Sequence, residues 1–112
     1  MADYLNRTFP CRLHLTIGSS LNTLPRFAAE HCDVKCDVIV VDGGHTLGVA
    51  LGDIRNFRVL ANVGHVLLVD DTNNSQVRSA WKRVRSEGMV VQRFSCSDRE
   101  VFQRKYAVGY YV

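Results

Sequence analysis

Cys36-Asp37-Val38-Ile39-Val40-Val41-Asp42-Gly43-Gly44-His45 is the stretch that decides the fold. Four consecutive β-branched residues at 38–41 predict a strand over residues 36–41 buried on both faces, as in a parallel sheet. The strand runs directly into a carboxylate, a glycine pair and a histidine. Beyond it, Leu47, Ala50, Leu51, Ile54, Phe57 and Leu60 recur at steps of three and four, which predicts an amphipathic helix over residues 46–61 with Gly64 ending the turn. A second apolar strand follows at residues 65–69, and it too ends in acid, Asp70-Asp71.

Outward from this centre the pattern continues. Toward the N-terminus, residues 12–17 alternate polar and apolar and stop at Gly18-Ser19-Ser20, which suits a half-buried strand leading into a helix cap. A helix over residues 21–31 should follow, with Leu21, Leu24, Phe27 and Ala28 on one face and Pro25 early enough to be tolerated. Toward the C-terminus, a polar turn through Thr72, Asn73 and Asn74 precedes a helix marked by Val77, Ala80, Trp81 and Val84, and Gly88 is placed to stop it. Residues 89–94 and 106–112, separated by a polar break at 95–100, predict an antiparallel hairpin. Strand and helix in alternation, closed by a hairpin, is the order of an open α/β sheet, and ligands of such sheets bind beyond the carboxyl ends of the strands.

The bulk properties bound the rest. At 112 residues with 46% hydrophobic and 22% charged residues, the chain (1–112) is expected to be one globular domain with a modest core. No stretch approaches the roughly 18 apolar residues of a membrane span, and the N-terminus lacks a basic segment followed by an apolar one, so no membrane role is expected and the default compartment is the cytoplasm. Cys11, Cys32, Cys36 and Cys96 read as free thiols, since their spacing matches neither a disulfide scaffold nor a common zinc module. Fourteen basic against eleven acidic residues give a net charge of +3, concentrated in Arg78, Lys82, Arg83 and Arg85 and again in Arg99, Arg104 and Lys105. That is a solvated face and not the aromatic-interleaved basic surface that nucleic-acid binding requires.

The chemistry lies at the strand ends. If the two apolar strands are neighbours, Asp42 and Asp70-Asp71 converge within about one strand spacing, roughly 5 Å. Three carboxylates so close repel one another unless a cation intervenes, and oxygen donors suit Mg²⁺ or Ca²⁺. The alternative is that Asp42 and Asp71 simply cap the helices that follow. Gly43-Gly44 allows backbone to approach a ligand or merely makes a tight turn, and His45 at the same rim is placed to act as a base or to serve structure alone.

Residues 36–45 and 66–72, separated by an amphipathic helix, resemble class I S-adenosylmethionine-dependent methyltransferases of the small-molecule, Asp-Gly-Gly-His branch. Residues 13–20 with Leu24-Pro25 resemble the family's strand ending in Gly-Asp-Ser and its following helix, and Tyr106-Ala107-Val108-Gly109 resembles its closing strand. The resemblance implies a Rossmann-like α/β methyltransferase sheet, truncated at the N-terminus so that the first two strands are missing, and closed by an antiparallel β-hairpin. It implies that Gly18, Ser19, Ser20, Asp42 and Gly43 face S-adenosylmethionine, that Asp42, Asp70 and Asp71 hold a metal such as Mg²⁺, and that His45 is catalytic. The implied activity is metal-assisted O-methylation of a small hydroxylated molecule.

Two departures qualify that activity. Ser19 replaces the family's acidic residue at the adenine, and the glycine-rich cofactor loop carried by the absent strands has no substitute here, so cofactor binding is expected to be weak or absent. The family's sheet order, 3-2-1-4-5-7-6, would place the absent strands between residues 12–17 and 38–41. The strand at 36–41 then becomes a bare edge, unless residues 13–17 pair with it directly, another chain fills the gap, or the gene model is truncated. A second functional reading follows: a non-catalytic remnant or interaction module that self-associates through that edge. A phosphoacceptor receiver domain also has acidic strand ends, but it opens with its acidic pair and carries a lysine after a late strand, an order this chain does not follow.

Overall fold

The carboxyl ends of two parallel strands, and the helices that leave them, carry the rim on which the site is built. The computed structural model describes residues 1–97 and 105–112, so Arg99, Arg104 and the end of the polar break at 95–100 lie outside the described residues. In chain order the elements are α1 (Ala2–Thr8), α2 (Ser20–Glu30), β1 (Cys36–Val41), α3 (Leu47–Phe57), a 3₁₀ turn (Arg58–Leu60), β2 (Ala61–Val69), α4 (Ser75–Ser86), β3 (Val90–Ser97) and β4 (Lys105–Tyr111). The sheet order is β1-β2-β4-β3. β1 and β2 run parallel with Val41 opposite Val69, and β4 is antiparallel to both β2 and β3. This is the 4-5-7-6 half of the expected methyltransferase sheet, including the C-terminal hairpin.

The core lies between one face of the sheet and the helices α3 and α4. Ile39 and Val41 of β1, Leu67 and Val69 of β2, and Ala107 and Tyr111 of β4 pack against Ala50, Leu51 and Ile54 of α3 and Val77, Ala80, Trp81 and Val84 of α4. In α3 and α4 the faces predicted by periodicity are the buried ones. By contrast α2, expected to present Leu21, Leu24, Phe27 and Ala28 on one face, has no buried residue, because it packs chiefly against α3 at the margin of the core. Polar groups drawn into this layer find partners: Trp81 Nε1 donates to Gln92 Oε1 at 2.7 Å, and the Tyr111 hydroxyl donates to the Ile54 carbonyl. Burial of Tyr111 raises its phenol well above the ordinary value. Outside the core, Arg55 donates to Glu87 Oε1 at 2.8 Å, and that hydrogen bond holds the Glu87 carboxyl below its usual range.

The opposite sheet face differs from the sequence expectation. Val38 and Val40 are 64% and 52% exposed, so β1 is buried on one face and not on both. The β-branched run specified a strand correctly, but α3 and α4 both lie on the same side and no described element covers the other.

The segment 12–17 is a second correction. It has no regular secondary structure and joins no ladder, Leu15 and Ile17 point largely to solvent, and among the described residues β1 pairs only with β2. Alternation alone does not make a strand; a strand needs a neighbour.

Two boundaries also moved. The helix expected to reach residue 61 gives way at Phe57 to the 3₁₀ turn, and β2 begins at Ala61. Gly64 therefore ends no helix. With φ of +79° it shapes a bulge in which the register jumps from Cys36–Ala61 to Val38–Val66. Within that bulge Asn62 Nδ2 donates to Asp37 Oδ1 at 2.8 Å, and His65 Nε2 accepts from the Tyr111 backbone N–H at 2.8 Å. Gly88, at φ +70°, does follow α4 in the left-handed conformation its position predicted. The short α1 has no buried residue and no apolar period, so nothing in the sequence announced it beyond Asp3 in its first turn and Arg7 in its last.

Candidate functional site

The rim forms because two parallel strands end level with each other. The Asp70 backbone N–H donates to the Val41 carbonyl at 3.0 Å, continuing the ladder one step past β2 and bringing the turn after β2 alongside the turn after β1. Asp42 leaves the end of β1. The Gly43-Gly44-His45 turn follows, and Thr46 caps α3 with its hydroxyl accepting from the Val49 N–H at 3.3 Å. On the other side Asn74 caps α4, its Oδ1 accepting from the N–H groups of Gln76 and Val77. Gln76 Oε1 accepts from the Leu47 N–H at 2.8 Å, which ties the starts of α3 and α4 together beneath the rim.

Thr46 and Asn74 thus do the helix capping, and neither Asp42 nor Asp71 is a cap. Asp42, His45 and Asp71 each offer a ligand atom, and these atoms all lie within 4.8 Å of one another. His45 Nε2 is 2.9 Å from Asp71 Oδ2, with side chains 51% and 26% exposed. Two carboxylates and an imidazole open to solvent on one side make a donor set suited to a hard divalent cation that keeps some of its water.

Asp71 reaches this position through an uncommon backbone, φ +53°, one of two non-glycine residues in the left-handed region among the described residues. Aspartate tolerates that region better than most side chains, and such outliers cluster at functional turns. Asp70 is not one of the group. It remains on the ladder, its Oδ1 accepting from the Asp71 N–H at 2.8 Å. The left-handed turn at Asp71 takes its carboxylate away from that of Asp70, so only one of the two aspartates joins Asp42. The structure therefore brings together Asp42, Asp71 and His45 where the sequence suggested Asp42, Asp70 and Asp71. Tyr106 lies close enough to sense Asp70: its phenol is held above the ordinary value, first by the hydrogen bond with Cys96 and last by the Asp70 charge.

The glycine pair is explained by close approach. A Cβ on Gly43 would stand 3.1 Å from Asp53 Oδ2, and one on Gly44 would stand 3.0 Å from Val49 Cγ1. Asp53 was not singled out by sequence reasoning, because its place in α3 reads as one more charged residue in a solvated helix. It is only 4% exposed, the one buried charged side chain among the described residues, and its Oδ1 has no hydrogen-bond partner. The signal available was its spacing from Leu47, Ala50 and Ile54, which places it beside the buried stripe.

Gly18, Ser19 and Ser20 sit where α2 begins. Gly18 has φ +134°, Ser19 is the N-cap residue, and its hydroxyl makes no capping hydrogen bond. α2 packs against α3 through Leu21, which fills the space a side chain at Gly52 would take.

With this geometry in hand, comparison with known proteins is specific. Two structures of CalS11 share the fold: one is described as the apo form of a TDP-rhamnose 3′-O-methyltransferase, an enzyme in calicheamicin biosynthesis, and the other as calicheamicin methyltransferase. Each superposes with a TM-score of 0.63 and 17% identity over 83% of this chain. The chain spans 39% and 36% of their respective lengths. No curated protein matches the sequence. A family profile described as a methyltransferase domain matches residues 2–72, which contain α1 to β2, Asp42, His45 and Asp71. With more than half of its length matched by that profile, the chain belongs to the methyltransferase domain family.

Proposed function

We infer that the chain is the carboxyl-terminal portion of a methyl-transfer site in which a divalent cation assists O-methylation of a small hydroxylated molecule. The observation that carries this reading is the approach of Asp42, His45 and Asp71 to within 4.8 Å at the carboxyl rim of a methyltransferase-type sheet. Asp42 and Asp71 would hold the cation. Such a cation orients a hydroxyl and lowers its pKa, and S-adenosylmethionine supplies the methyl group. His45 is the base. With Nε2–H donated to Asp71 Oδ2, the imidazole keeps Nδ1 to take the hydroxyl proton, and the carboxylate stabilises the imidazolium that forms.

The residues fit the cation better than they fit the methyl donor. For the cation there are two carboxylates and a solvent-open side. For the cofactor there are the Gly18-Ser19-Ser20 turn, the uncommitted Ser19 hydroxyl and the Asp42-Gly43 backbone, but no carboxylate at Ser19 and no glycine-rich loop. Calorimetry tests both halves. The 112-residue chain is expected to bind Mg²⁺ and to bind S-adenosylmethionine more weakly than micromolar. Cofactor affinity at the micromolar level, near −8 kcal/mol, would overturn this account of the cofactor half, and absence of Mg²⁺ binding would overturn the cation half.

The second reading, an interaction module that pairs through β1, is favoured by one observation: the exposed Val38 and Val40 on a strand with a single neighbour. It is compatible with the first if a second copy supplies that neighbour.

A further inference from the structure

Asp53 is the one buried charged group that the proposed chemistry leaves unused. It lies on α3 between Ala50 and Ile54, both buried, and is itself 96% removed from solvent. Its two oxygens differ. Oδ2 faces Gly43 so closely that a Cβ there would come within 3.1 Å, while Oδ1 has no partner. A buried acceptor without a donor is costly, and native chains retain one where it does something the apolar alternative would not.

The part of the rim nearest that carboxylate is the Gly43-Gly44-His45 turn, which meets it at Gly43. Asp42 stands at one end of the turn and His45 at the other, and Gly43 between them lies against one oxygen of the Asp53 carboxylate. Glycine at both 43 and 44 keeps the turn in contact with α3, since either Cβ would lift it off Asp53 or Val49. An acceptor held in reserve beneath the turn therefore has one nearby use.

We propose that Asp53 is a positioning residue for the rim: its under-satisfied carboxylate accepts a backbone N–H of the Gly43-Gly44-His45 turn when a divalent cation draws Asp42 and Asp71 together. Asp53 does not touch the cation, and it sets how readily the turn adopts the cation-bound arrangement. The proposal rests on the cation reading above.

The full chain and two variants test it, with Mn²⁺ alone as the probe. Electron paramagnetic resonance titration gives affinity and thermal melting gives stability. Asp53→Leu removes the unpartnered acceptor at similar volume, so it is expected to leave Tm unchanged or raised while weakening Mn²⁺ binding about tenfold. Asp53→Asn, the milder change should the leucine variant fail to fold, is expected to weaken it severalfold, and the Gly44 amide resonance is expected to shift with Mg²⁺ in the wild type and to shift less in either variant. A purely structural carboxylate would instead change Tm and leave affinity alone. Wild-type affinity in both folded variants overturns the role of Asp53 and leaves the cation reading standing; no Mn²⁺ binding by the wild type overturns both.

Discussion

Asp71 shows how a single backbone choice makes a site. In the left-handed region, at φ +53°, its carboxylate turns toward His45 while Asp70, one residue earlier, stays on the ladder. The identities Asp42, Asp71 and His45 were legible because strand ends and glycine turns are local signals. The left-handed turn at Asp71 was not, since a run of two aspartates does not say which one leaves the strand. Roles at this scale separate by substitution. Asp42→Asn removes a charged oxygen donor and is expected to lower Mg²⁺ affinity at least tenfold, or about 1.4 kcal/mol. His45→Gln, which removes the proposed base but spares both carboxylates, is expected to lower it less than threefold. Calorimetry that finds the two variants equal would remove the distinction between base and ligand.

At the scale of elements, packing separated what the sequence announced from what it concealed. The helices α3 and α4 were readable from their periods because each buries one stripe: Ala50, Leu51 and Ile54 in one, Val77, Ala80, Trp81 and Val84 in the other. Strand β1 was readable by composition, but its exposure was not, because covering a face is a property of neighbours. The segment 12–17 failed as a strand for the same reason. Asp53 belongs to this scale as well, a charge whose meaning comes from the turn above it. The uncovered face gives a prediction for β1. Light scattering is expected to find wild-type dimers growing with concentration and a monomeric Val38→Lys/Val40→Lys double variant with unchanged helical content; a wild type that stays monomeric throughout would remove self-association from the account.

For the molecule as a whole, the β1-β2-β4-β3 sheet with both described crossover helices on one side reproduces the closing half of a methyltransferase fold. Among the described residues, no helix is long and apolar enough to cross a membrane. The fold class was available from the sequence because strands and helices in alternation with a terminal hairpin leave few topologies to choose from, and the strand order came from the resemblance to class I methyltransferases. The central claim is that the rim at Asp42, His45 and Asp71 holds a divalent cation, and locating the ion tests it most directly. Substoichiometric Mn²⁺ added to ¹⁵N-labelled chain is expected to broaden the amide signals of Gly43, Gly44, His45 and Thr72 first, leaving those of Gly64, Gly88 and Gly109 sharp. Broadening centred on any other part of the chain, or none at all, would contradict it.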